Sequence, residues 1–283
     1  MIPDVVRRWL DQHGYGKMTA ERSVGGGCIN NGARLEMNSG SSFFLKTNAS
    51  APEDMFAREA EGLVELRKAN GPRAPEPLLW DVEFILLEDL QSRPRTMDYW
   101  ENLGRQLAGL HQNTRPKFGF VHDNYLGSTK QPNVWTENGY EFFAEYRLGF
   151  QTRLARDNDL LTRDEADEFT KLANRLHQLI PLQPASLIHG DLWGGNAITD
   201  ELGQPAIIDP AVHYGWAEAE LAMTALFGGF PPAFYSAYVE TRTLDIGWAD
   251  RLPIYNIYQL LNHLNLFGSS YHAQVMEIVR HFS

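Results

Sequence analysis

Cysteine is nearly absent from this chain: Cys28 is the single one in 283 residues, which excludes an internal disulfide framework. Long apolar runs are missing as well. None approaches the roughly 18 residues that a membrane-spanning helix needs, so no membrane partner is expected. Positive charge is scarce: 25 Lys and Arg stand against 36 Asp and Glu, a net charge of −11. That balance repels polyanions and anionic surfaces, and so argues against nucleic acid as a partner. It leaves room for a nucleotide, whose charge a local Lys and a magnesium ion can offset. The N-terminus, Met1-Ile2-Pro3-Asp4, has no charged region followed by an apolar one, so no signal peptide is expected. Together these absences predict a cytoplasmic protein.

What is present is a core-forming composition, 43% apolar and 12% aromatic. A short amphipathic helix is expected over 3–13, with Val5, Trp9 and Leu10 inward. Three β-like runs follow at 20–24, 33–37 and 42–46, with Asn38-Ser39-Gly40 as the turn between the last two. A helix over 52–69 and strands at 77–80 and 84–87 come next. Residues 90–97 read as a polar connector. The chain is then mainly helical: 98–112, a long loop over 114–138, 140–157 and 163–180, with Thr162 and Glu165 forming a capping box. Further helices are expected near 217–227, 232–241, 254–266 and 271–281. The predicted class is α+β: a small β-rich lobe (1–90) that binds nucleotide, then a larger helical lobe (91–283) for catalysis and the acceptor. That is the bilobal protein-kinase-like architecture.

The most informative stretch is Leu187-Ile188-His189-Gly190-Asp191-Leu192-Trp193-Gly194-Gly195-Asn196, followed by Ile207-Ile208-Asp209. Phosphoryl transfer from a metal–nucleotide needs a carboxylate to take a hydroxyl proton, and an Asn and an Asp to hold magnesium. The spacing from Asp191 to Asn196 equals that of the kinase catalytic loop. This assigns Asp191 as general base and Asn196 and Asp209 as metal ligands. His189 is read as holding the loop through hydrogen bonds. The bland alternative makes Asp191 and Asn196 turn formers and Asp209 a strand-end cap.

On the nucleotide side, Gly25, Gly26 and Gly27 let the backbone approach phosphate oxygens. No Gly-Lys-Ser/Thr follows, so this is not the Walker form. Lys46 ends an apolar strand and is assigned to the phosphates, braced by Glu59 on the next helix, with Glu61 as the rival partner. Glu59 and Glu61 point to different helix faces, so only one can reach inward. Glu88, Asp89 and Leu90 form the expected hinge, whose backbone would meet an adenine edge. ATP and Mg2+ are thus the implied cofactors.

Taken together, His189-Gly190-Asp191-Leu192-Trp193-Gly194-Gly195-Asn196 with Asp209-Pro210-Ala211 resembles the fructosamine kinase (ketosamine 3-kinase) family, within the aminoglycoside phosphotransferase-like kinases. Gly25-Gly26-Gly27-Cys28-Ile29-Asn30, Leu226-Phe227-Gly228-Gly229-Phe230 and Leu260-Leu261-Asn262-His263-Leu264-Asn265-Leu266 extend the likeness over nearly the whole chain. The resemblance implies ATP-dependent phosphorylation of the 3-hydroxyl of ketosamines, free or protein-bound. The phosphorylated adduct is unstable, which implies a deglycating repair role. The chain departs from the family after Asp-Pro-Ala. Gly215-Trp216-Ala217-Glu218-Ala219-Glu220 stands where Gly-His-Arg-Glu and a later Asp are usual, with Glu220 keeping the charge.

Trp193, Tyr214 and Trp216 flank the inferred acceptor side; they would stack on a sugar or amine, or simply pack in the core. Asn262, His263 and Asn265 sit in an apolar helix and would bind the sugar or, as the favoured reading, tie that helix to the catalytic loop. Cys28, in the phosphate loop, is a candidate redox-sensitive residue, as the resemblance implies for relatives with this cysteine. Other readings are a kinase for an aminoglycoside- or choline-type metabolite, and a catalytically inactive nucleotide-binding module. The expected assembly is a monomer or weak homodimer.

Overall fold

The alternating pattern of the first ninety residues folds into one antiparallel sheet. A computed structural model describes residues 2–25 and 30–283. Five strands, β1 (Met18–Val24), β2 (Asn31–Met37), β3 (Ser42–Thr47), β4 (Pro77–Asp81) and β5 (Phe84–Glu88), lie in the order β1-β2-β3-β5-β4. Side chains alternate across the sheet, so each strand serves two layers. On one face Phe43, Leu45, Leu35, Phe84 and Leu86 cluster with Ile2, Val6 and Leu10 of the chain's start and α1 (Asp4–Gln12). The inward stripe of α1 is therefore Val6 and Leu10. Val5 and Trp9 are half-buried and pack against the same cluster, Trp9 edge-on to Phe43 and stacked on His13 and Tyr15. On the other face Ile85 and Leu87 pack with Phe56, Ala60, Leu63 and Leu66 of α2 (Met55–Leu66). That cluster runs on without a break into the helical part of the molecule.

Beyond the sheet come α3 (Tyr99–Leu110), the two-residue strand β6 (Thr114–Arg115), and a hairpin of β7 (Asn124–Leu126) and β8 (Thr129–Gln131). The loop expected over 114–138 thus contains three strands. Two- and three-residue strands are too short to display a period. The helix expected over 140–157 runs without a break from 139 to 157 but carries a π-helical stretch: α4 (Gly139–Phe143), the π-helical turns (Ala144–Gly149) and α5 (Phe150–Asp157). α6 (Arg163–Leu179) starts with the expected capping box, Thr162 N–H and hydroxyl both donating to Glu165 Oε2 at 2.9 Å.

The remaining strands are β9 (Ala185–Ile188), β10 (Ala197–Thr199), β11 (Pro205–Ile207) and β12 (His213–Gly215). β10 and β11 form a hairpin, and β9 is the middle strand between β12 and β6. The last helices are α7 (Ala217–Leu226), α8 (Pro232–Thr241), α9 (Trp248–Phe267) and α10 (His272–Phe282). α9 begins before the expected 254 and carries Pro253 within it. Every residue of α9 from Ile254 to Asn262 is buried, as is Leu264, and the helix passes directly behind the end of β9.

Candidate active site

Two short strands bring the motif together. In the β10–β11 hairpin Ala197 pairs with Ile207, and Ile208 N–H donates to Asn196 C=O at 3.1 Å. Asn196 and the segment ending at Asp209, separated in sequence, therefore sit side by side. The loop from β9 is tied to the same place: Ala211 N–H donates to His189 C=O at 2.9 Å, and the His189 ring donates from Nε2 to Ile208 C=O at 2.8 Å. That tautomer leaves His189 Nδ1 to accept from Asp191 N–H at 3.2 Å. His189 thus holds the loop, as expected. Asn196 Nδ2 donates to Asp191 C=O at 2.8 Å and to Asp191 Oδ2 at 3.3 Å, so its Oδ1 is the atom left to face a ligand. Asp209 has φ 57°, a left-handed conformation uncommon for a residue other than glycine, of the kind found at functional sites.

Lys46 reaches this cluster from β3. Its Nζ donates to Glu59 Oε1 of α2 at 2.5 Å and to Asp209 Oδ1. Phe44 and Lys46 share the sheet face toward α2, which is why a strand lysine and a helix glutamate meet. Glu61 points elsewhere, to Arg58 and His122, so Glu59 is the inward partner. Burial alone would pull the Lys46 ammonium down, but Asp209 and Glu59 outweigh it and hold its pKa above the ordinary value. Burial raises the carboxyl of Glu59, and Lys46 only partly reverses that.

The buried carboxylate of Glu220, on α7, anchors the loop from below. It accepts from Gly190 N–H at 2.8 Å, from His189 N–H at 2.9 Å, and from the His111 ring at 3.0 Å. His111 Nδ1 in turn lies 2.7 Å from Tyr238 Oη. Burial would raise Glu220, but His111 and His189 outweigh it and lower it. Asp191 is pushed well above the usual carboxylate range by burial, then by the negative charges of Asp209 and Glu220. A base with a raised pKa removes a hydroxyl proton more effectively than an ordinary carboxylate, provided it is still ionised. Glu218, two residues before Glu220, is buried with Arg251 Nη2 at 2.6 Å and Tyr255 Oη at 2.8 Å.

Three histidines here are buried and held neutral. Burial lowers His111, His189 and His213, the last well below the ordinary value. A depressed folded-state pKa means the unfolded chain binds more protons as acid is added. The stability these groups contribute is full above the unfolded pKa of about 6.5 and is lost below it, by up to ~1.4 kcal/mol per histidine per pH unit. Asp191 and Glu59, both raised, act in the opposite sense, as two groups against three. The melting temperature is expected to fall between about pH 7.5 and pH 5.5, a window set by that unfolded pKa. Equal melting temperatures over that range would contradict this account.

Other expected site residues divide. Gly26, Gly27 and Cys28 lie outside the described residues; Gly25 directly follows β1. The side chains of Glu88 and Asp89 are engaged in the protein itself. Glu88 Oε1 takes Arg73 at 2.5 Å, and Asp89 Oδ2 pairs with Arg34 Nε at 2.9 Å. Glu88 N–H donates to Glu76 C=O at 2.8 Å, so it is not the free hinge amide. Leu90 is buried. Trp193 is 38% exposed beside the catalytic loop, its ring lying over Gly195. Tyr214 and Trp216, each 4% exposed, are core residues. Tyr214 Oη donates to Glu65 at 2.8 Å, and Trp216 packs among Phe118, Tyr140, Phe143 and Tyr255, so neither ring is presented to an acceptor. Asn262 and Asn265 join α9 to Gln151 of α5, not to the catalytic loop. His263 stays on its own helix, against Gln259 C=O at 2.8 Å. The residue of α9 that does reach the loop is Gln259, whose Nε2 donates to Gly190 C=O at 2.9 Å. Nothing in the sequence singled it out beyond being a polar residue in an apolar helix.

Among the described residues no group of three or more His, Cys, Asp or Glu side chains is placed to hold a metal ion. Asn196 and Asp209 offer one amide oxygen and one carboxylate. Such an all-oxygen pair fits a hard cation that keeps water and phosphate oxygens as its other ligands, as magnesium does. The mutual repulsion that raises Asp191 beside Asp209 also favours a cation there.

The fructosamine kinase family model matches residues 1–282. A probable ketoamine kinase of Synechocystis is 40% identical over 93% of this chain and 90% of its own length. A chloroplastic protein-ribulosamine 3-kinase of rice is 38% identical over 98% of this chain and 82% of its own. A solved structure of a candidate fructosamine-3-kinase from Thermobifida fusca superimposes with a TM-score of 0.89 at 32% identity, covering 99% of this chain and 98% of that one. An aminoglycoside phosphotransferase structure, at 14% identity and a TM-score of 0.63 over 98% of both chains, shares the protein-kinase-like fold. With a family-model match over residues 1–282 and a relative 40% identical over 93% of its length, the chain belongs to the fructosamine kinase family.

Proposed function

We propose that this protein transfers the γ-phosphoryl group of ATP to the 3-hydroxyl of ketosamines, the fructosamine and ribulosamine adducts of amines or proteins, and so initiates deglycation. One observation carries the reading. Lys46 of β3, Glu59 of α2, Asp191 and Asn196 of the catalytic loop and Asp209 after β11 meet at one place, in a chain whose relatives are named ketoamine kinase and protein-ribulosamine 3-kinase.

Each residue then has a task. Asp191 accepts the proton of the acceptor hydroxyl. Lys46, kept charged and aimed by Glu59, binds phosphate oxygens. Asn196 Oδ1 and Asp209 would hold Mg2+, which when bound neutralises charge on the phosphates. Gly25, Gly26 and Gly27 cradle the phosphates, and the backbone around Asp89 and Leu90 meets the adenine. Residues 1–90 form the nucleotide lobe and 91–283 the catalytic and acceptor lobe. Trp193, the exposed aromatic of the loop, stacks on the acceptor. A monomer or weak homodimer acting in the cytoplasm completes the proposal. Among the described residues no helix is long and apolar enough to cross a membrane.

ADP release with ribulosyl-lysine against fructosyl-lysine, with the phosphate position read by NMR, tests the reaction. Turnover of at least one adduct with phosphate on O3 is expected; no turnover of either defeats the reading. Trp193→Ala is expected to raise the acceptor KM about 3- to 10-fold at unchanged KM for ATP. An unchanged acceptor KM would remove Trp193 from the site.

A further inference from the structure

We infer that Gln259 is a positioning residue for Asp191: its side-chain amide holds the carbonyl of Gly190 while Glu220 holds the N–H of the same residue, and the two clamps fix the peptide from which the Asp191 side chain departs. The inference rests on the proposed role of Asp191 as the base.

Gly190 needs such clamps. Its φ of 84° is left-handed, and a Cβ there would collide with Ala211 C=O, so only glycine fits. Glycine brings no side chain to wedge the turn in place. Behind it lies a cavity of about 30 Å³, lined by Gly190, Gln259, Glu220, Arg147, Tyr258 and Trp216 among others. Packing on that side of the peptide is therefore incomplete, and polar contacts complete its hold. Glu220 Oε1 accepts from Gly190 N–H at 2.8 Å, and Gln259 Nε2 donates to Gly190 C=O at 2.9 Å. The next N–H, that of Asp191, donates to His189 Nδ1.

Gln259 itself is poorly explained as a structural residue. It is 6% exposed on a helix filled mainly by apolar residues. Its Oε1 finds no hydrogen-bond partner among the described residues, so the amide is buried for the single bond to Gly190. A buried polar group half satisfied is costly to the fold, and such groups concentrate where function requires them. The amide also has one useful orientation: flipped, its Oε1 would face the Gly190 oxygen.

Two variants test this on the full chain. Gln259→Leu fills similar space without a donor. It is expected to keep its circular dichroism and its KM for ATP within about 2-fold, and to lose about 10²-fold in kcat, the scale of a misplacement near 1 Å. Gln259→Glu discriminates further. A buried neutral carboxylic acid can donate to Gly190 C=O, whereas the carboxylate cannot, so the ratio of variant to wild-type kcat is expected to rise as pH falls. A residue that merely stabilised the fold would produce no such reversal. Wild-type kcat in a folded Gln259→Leu, or a Gln259→Glu ratio flat with pH, overturns the inference. If wild type itself turns over no ketosamine, it is the functional reading that fails. The same variants compared by ADP release with any acceptor it does use then still decide the role of Gln259.

Discussion

Asp191→Asn is expected to lower kcat by about 10²–10⁴-fold, the contribution of a positioned general base, while ATP binds as in wild type. The substitution changes a charge and little else. Asn196 Nδ2 can still donate to the side-chain oxygen at position 191 and to its main-chain carbonyl. The loop remains fixed by Glu220 and His189, neither of which uses the Asp191 carboxylate. Removing that carboxylate also ends its repulsion with Asp209 and Glu220, so the melting temperature should hold or rise. Wild-type kcat should fall as pH drops through the raised pKa of Asp191, at a pH above the usual carboxylate range; the residual rate of the Asn variant should lack that acid limb. Calorimetric titration with ATP, together with steady-state rates, separates the two effects. Turnover close to wild type in a folded Asp191→Asn would end the general-base assignment.

Lys46→Met is expected to weaken ATP binding by about 10- to 100-fold, since a charge-assisted hydrogen bond contributes about 1.5–3 kcal/mol. Lys46 stays charged at every working pH because Asp209 and Glu59 outweigh its burial. Its loss has a second consequence. Glu59, 11% exposed at its side chain, would keep a buried carboxylate without its cation. Stranding one member of a buried pair destabilises by up to about 3–5 kcal/mol, less if Glu59 takes up a proton, toward which burial already biases it. The double change Lys46→Met with Glu59→Gln should therefore recover melting temperature without recovering ATP affinity. Undiminished ATP affinity in Lys46→Met would show that the phosphates are held elsewhere.

The legibility of this molecule follows the range of its interactions. The Asp191-to-Asn196 spacing, the Lys46–Glu59 pairing and the capping box at Thr162 were readable because each depends on local spacing or on one recurring strand-to-helix arrangement. Tyr214 and Trp216 were not: an aromatic next to a catalytic loop looks the same in sequence whether its ring faces the cleft or the core. The answer came from β12, which pairs with β9 and buries Tyr214, and from the start of α7, where Trp216 packs among Phe118, Tyr140, Phe143 and Tyr255. The strands within 114–138 escaped because they are too short to show a period and because β6 finds its partner far along the chain, on β9.

By itself the sequence determined the family, the order of strands and helices in the first ninety residues, and the spacing that sets Asp191 beside Asn196, since these reside in residue identity and spacing. Tertiary structure decided which polar residues serve the loop. Asn262, His263, Asn265 and Gln259 all lie on one helix, and only Gln259 faces Gly190. That choice is made by the rotation of α9 against α7 and the end of β9, through a contact between residues 69 positions apart, which no local pattern encodes.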